Sequence, residues 1–150
     1  MRKLYVVAAG LLVALTVAAG ASSQSGARTH VVKLTAAEEV PRCAAASKRH
    51  HGVALFKVTN ATTGTVSYKV ISTNLPGNIV GAHIHGPAPA GTTAPVLQPL
   101  TLTGNEVGVV AQGTFTNPAL VAAINANPQL YYVNVHSTTC PPGVIRGQIG

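Results

Sequence analysis

The chain has 150 residues, a net charge of +7 with His neutral, only three acidic residues, and neither Asp nor Trp. That length suits one domain, on a scale of about 100 to 200 residues each. The acids are Glu38, Glu39 and Glu106, and the adjacent pair would point to opposite faces of any strand. Neither the converging carboxylates of glycoside hydrolysis nor the orienting acid of a hydrolytic triad is readily assembled from them.

Met1-Arg2-Lys3 leads into an uncharged apolar run over 4–19 and then Ala19-Gly20-Ala21. A basic start, a short hydrophobic stretch and small residues make a secretory signal peptide over 1–21, cleaved after Ala21. A retained membrane anchor is the alternative, but a span needs roughly 20 apolar residues and this run falls short. The expectation is a secreted or periplasmic protein with no membrane span after cleavage. A flexible leader over 22–29 and a β domain over 30–150 follow. Cleavage would remove Arg2 and Lys3 and leave +5, scattered between Arg28 and Arg146 with one cluster at Lys48-Arg49-His50-His51. Nucleic-acid binders gather charge in a stripe and interleave stacking aromatics. With four Tyr and two Phe, the chain is not expected to bind nucleic acid. The charge reads as a solvated face with a weak preference for anionic surfaces.

Residues 28–39 alternate around Val32 and Leu34 as a first strand, and 41–48 form a loop or arm carrying Cys43. Residues 50–60 and 65–73 make a hairpin about Ala61-Thr62-Thr63-Gly64, with Val66, Tyr68 and Val70 on one face. A break at Leu75-Pro76-Gly77-Asn78 precedes a fourth strand over 79–85. The Pro- and Gly-rich stretch 86–91 then forms a shaped loop. Strands follow over 95–102 and 106–116. Asn117 can cap a short helix with Pro118 in its first turn, running to 125 and stopped by Asn127-Pro128. Two closing strands lie over 129–137 and 144–149. About eight short strands with regular turns and one helix predict an all-β, antiparallel Greek-key sandwich or barrel.

Cys43 and Cys140 are the two cysteines, and an even count in an exported chain favours a disulfide. Two free thiols, or one Cys joining a metal site, are the alternatives.

Glu38-Glu39-Val40-Pro41, Ala82-His83-Ile84-His85-Gly86-Pro87, Tyr132-Val133-Asn134-Val135-His136 and Gly143-Val144-Ile145-Arg146-Gly147-Gln148 together resemble the CHRD domain over about 30–149. The family usually carries Glu at the position of Val144, and its loops generally lack cysteine. The resemblance implies the β fold and, from chordin, a binding or structural role toward an extracellular or envelope protein. A weaker similarity, to the copper/zinc superoxide dismutase barrel, rests on the H-x-H pair, the later Val-x-Val-His and the run Cys140-Pro141-Pro142-Gly143-Val144-Ile145. It implies copper-ligand positions at His83, His85 and His136, without counterparts to the bridging His or the zinc loop.

In an extended strand His83 and His85 share one face, and His136 shares a face with Asn134 on a later strand. Brought together, three neutral imidazoles suit a single copper or zinc ion. The competing expectation is a polar patch whose His and Asn satisfy loop backbone groups. Arg146 is expected to be structural, tying the last strand to the loop after His85, with Asn134 and Gln148 in the same motif. No enzymatic activity is assigned, and redox chemistry at a metal stays open.

Overall fold

The computed structural model describes residues 28–150, so the signal peptide expected over 1–21 and residues 22–27 of the expected leader lie outside the described residues. Alternation organises the first three strands. In β1 (Thr29–Thr35) Val32 and Leu34 turn inward, in β2 (His51–Asn60) Ala54, Phe56 and Val58 do, and in β3 (Thr65–Ser72) Val66, Tyr68 and Val70 do. Strand periodicity of two puts their partners Lys33, Leu55 and Lys69 on the outer face. The same pattern continues in β4 (Ile79–His85) and β6 (Gly108–Thr116), with the four-residue β5 (Val96–Pro99) between them. After β6 come α1 (Pro118–Ala126), a 3-10 turn over Pro128–Leu130, β7 (Tyr132–Ser137) and β8 (Ile145–Gln148).

All pairings are antiparallel, in one sheet of order β5-β4-β7-β8-β1-β2-β3-β6. Chain neighbours β1, β2 and β3 pair directly, whereas β7 lies between β4 and β8, and β8 between β7 and β1. The sheet curls until its two ends meet one segment of chain. Leu100 N donates to Ala82 O (2.9 Å), while Thr103 N donates to Val110 O (3.0 Å) and Gln112 N to Thr101 O (3.1 Å). Inside lie Val32, Leu34, Val70, Ile84, Val133 and Ile145, and α1 adds Leu120, Val121 and Ile124.

The antiparallel all-β architecture expected from the sequence is thus present, with differences at element ends. The first strand stops at Thr35 instead of 39, because residues 36–38 turn back through Glu38 N to Thr35 O. At its other end β1 begins at Thr29, one residue after the expected strand start at Arg28 and within the range also given to the leader. The fifth strand is shorter than 95–102, and residues 128–130 coil before β7 begins. Residues 36–50 form an arm over the outer face of β1 and β8, fastened by the Cys43–Cys140 disulfide with Cα atoms 5.7 Å apart.

Candidate metal centre

Register brings the histidines together. On β4 and β7, Gly81 stands opposite His136, His83 opposite Asn134, and His85 opposite Tyr132. The residues between them, Ala82, Ile84, Val133 and Val135, are buried in the core, so the imidazoles project from the outer face. Centroid separations are 4.7 Å for His83 with His136, 5.7 Å for His83 with His85, and 6.1 Å for His85 with His136. One ring nitrogen from each lies within 4.8 Å of the others.

The vacant space over Gly81 makes this crowding possible. A Cβ there would lie 2.9 Å from His83 Cε1 and 3.4 Å from His136 Cδ2, so it would press on the His83 ring and come into contact with His136. Gly81 was not singled out from the sequence as a site residue, and its position two before His83 was the available signal.

Two of the three tautomers are set by carbonyl groups. His85 Nδ1 is 2.9 Å from Ala94 O, and His136 Nδ1 is 2.8 Å from Pro141 O. A carbonyl can only accept, so each Nδ1 carries the proton and each Nε2 keeps its lone pair. Those Nε2 atoms, together with His83 Nδ1, are buried without any hydrogen-bond partner. Burial, followed by the neighbouring imidazoles, lowers His83 from 6.5 to about 4. Burial also lowers His136, against the raising effect of the Pro141 carbonyl. Both rings are held neutral, the form that binds metal.

His85 is almost wholly buried although it points away from the core, because residues 86–94 roof it. Its ring stacks on Tyr132 at 4.7 Å and 4°. The Tyr132 hydroxyl accepts from Ala94 N (3.1 Å) and donates to Ala94 O (3.3 Å), closing the roof. Arg146, fully buried on β8, places Cζ 3.4 Å from the centre of the Tyr132 ring. His85 and Arg146 come from strands on either side of β7, so Tyr132 is packed between an imidazole and a guanidinium. Gln148 accepts from Arg146 Nη2 (3.1 Å) and donates through Nε2 to Ala88 O (3.1 Å) and Gln129 O (2.6 Å). The last strand is therefore tied to the His-bearing loop through Gln148, with Arg146 acting on Gln148 and Tyr132 and not on the loop directly.

Beside Arg146 lies Glu39, delivered by the arm and almost wholly buried. Burial raises its carboxyl from 4.5 to about 7, against the lowering effects of Val40 N, Arg146 and Asn134. Glu39 packs against the backbone at Gly143, where a Cβ would collide with its carboxylate. Asn134 Nδ2 makes a long contact to Pro142 O (3.4 Å). Tyr132 and the role of Glu39 were not read from the sequence, although both stand in its recognised motifs. His50 and His51 stay apart from the cluster: His50 Nδ1 accepts from Ser47 N (2.8 Å), and His51 Nδ1 lies 3.0 Å from Arg49 O.

Fold and site define a small antiparallel β domain with a buried polar layer on one outer face. Residues 31–149 match the CHRD domain, and the chain belongs to that family. Membership supports a structural or binding module. No curated protein and no solved structure matches the chain.

Proposed function

We propose that this CHRD-family chain is an exported binding module whose ligand is one copper or zinc ion, held by His83 Nδ1, His85 Nε2 and His136 Nε2. The observation that carries this reading is that one ring nitrogen from each histidine lies within 4.8 Å of the others, while each ring keeps a buried nitrogen, His83 Nδ1, His85 Nε2 and His136 Nε2, with no hydrogen-bond partner. Buried polar atoms are normally paired, so three orphans on clustered rings mark a site shaped for something else. The carbonyl groups of Ala94 and Pro141 supply the outer-shell contacts that orient ligating imidazoles. Neutral nitrogen donors without carboxylate or thiolate suit copper and zinc over calcium or magnesium.

Export rests on Met1 to Ala21 and on the disulfide, a bond that persists in oxidising compartments. No helix among the described residues is long and apolar enough to cross a membrane.

The test is stripping with a chelator, reloading with copper or zinc, and measuring bound metal by mass spectrometry in the parent, His83→Ala and His136→Ala. One equivalent in the parent and weaker retention in both variants is the expected result. Equal metal content in all three would defeat the reading and leave a polar face that serves packing alone. Recovery of an envelope protein on the parent, undiminished in the same variants, would then point to the protein-binding role of the family.

A further inference from the structure

Away from the histidines, between the arm and the outer face of β1 and β2, lies a cleft of about 670 Å³. That volume falls within the roughly 300–1,000 Å³ of small-molecule sites. Its polar lining is Lys33, Thr35, Arg42, Ser47, Lys48 and His51, and the remainder is Ala36, Ala37, Cys43 and Ala46. No carboxylate lines it. Of the three acids, Glu39 is turned inward beside Arg146, and Glu106 accepts from Ile79 N at 2.7 Å on another strand. Glu38, next to Ala37 in sequence, is the one exposed acid nearby, and it stands outside the lining.

The bases come from three segments. Lys33 and His51 project from one sheet face, since Lys33 pairs with Val53 and Thr35 with His51. The arm lays Arg42 and Lys48 over them. Arg42 Nε donates to Ala37 O at 3.1 Å, which orients the guanidinium and leaves its terminal nitrogens free of that bond. The disulfide at Cys43 fixes the arm and thereby the width of the cleft. Three permanent cations converging without a counter-charge repel one another, and a multiply charged anion relieves that repulsion. A guanidinium fork and two ammonium groups match the oxygens of phosphate, and the hydroxyls of Thr35 and Ser47 can add hydrogen bonds.

We propose that this cleft binds a phosphate group carried by a small ester, with Lys33, Arg42 and Lys48 as its charge partners. Both a soluble phosphate ester and a phospholipid headgroup present that chemistry. The proposal stands apart from the metal reading and is tested on metal-stripped protein. Titration calorimetry with inorganic pyrophosphate examines the soluble source, and flotation with phosphatidylglycerol vesicles against phosphatidylcholine vesicles examines the lipid source. The Lys33→Gln/Lys48→Gln double variant is expected to weaken binding about ten-fold or more. The control is Lys57→Gln/Lys69→Gln, the same charge change on a shallow depression further along the sheet, expected to alter binding no more than about two-fold. All four lysines are exposed or half-exposed, so melting temperatures should match the parent and report intact folding. Pyrophosphate binding without vesicle binding assigns a soluble ligand, and the reverse assigns a headgroup. Failure of both probes, or equal losses in the two double variants, overturns the proposal, the second outcome reducing it to net charge.

Discussion

Glu39 and the histidines put stability on opposite slopes. In metal-free protein, His83 at about 4 and the lowered His136 bind more protons when unfolded. Stability therefore falls as pH falls from 6.5 toward about 4. Glu39, raised from 4.5 to about 7, holds its extra proton when folded, so stability falls as pH rises between those values. Glu39→Gln removes the second slope. Its advantage over the parent is expected to grow across that window to the order of 3 kcal/mol, read from denaturant unfolding as a function of pH. Parallel curves would show the carboxyl ionised throughout. Gly81 acts by absence of a side chain. Gly81→Ala is expected to displace the His83 ring, 2.9 Å from the added Cβ, and lower metal affinity about ten-fold. Competition with a chromophoric chelator measures this, and unchanged affinity would mean the ring moves aside without loss.

At the scale of elements, strand existence and facing were legible because alternation is a local property. Val66, Tyr68 and Val70 on one face, and Ile84 opposite His83 and His85, follow from a period of two. Ends were less legible, since the turn at residues 36–38 and the coil at 128–130 depend on bonds to groups the sequence does not place nearby. The helix was legible through its cap: Asn117 Oδ1 accepts from Leu120 N at 3.0 Å, and Pro118 opens the first turn. Nine residues are too few for a stable isolated helix, so α1 depends on this cap and on burying Leu120, Val121 and Ile124. Asn117→Ala is expected to cost about 1 kcal/mol of unfolding free energy by chemical denaturation. A negligible loss would assign the helix's stability to packing alone.

For the whole molecule, the disulfide links the arm to the loop between β7 and β8 across 97 residues. Closing so long a loop lowers the entropy of the unfolded chain, by the equivalent of about 4 to 5 kcal/mol in the chain-entropy account. Reduction, or the Cys43→Ser/Cys140→Ser variant, is expected to lower the unfolding free energy by that order, read from the denaturant midpoint. A midpoint unmoved by reduction would mean that the arm's packing around Glu39 suffices. By itself the sequence determined the β class, the family and the shared face of His83 and His85, and it favoured the Cys43–Cys140 bond, because each follows from composition, local period or motif. Only the tertiary structure decided that β7 lies beside β4, that Gly81 opens room for two rings, and that Ala94 and Pro141 fix the tautomers. It also brought Glu39 within the electrostatic reach of Arg146 and the arm's cations into one cleft with Lys33. Some of those contacts depend on the pairing of the non-consecutive strands β4 and β7 and others on how loops and the arm fold back over the sheet, and no local pattern around His83-Ile84-His85 specifies either.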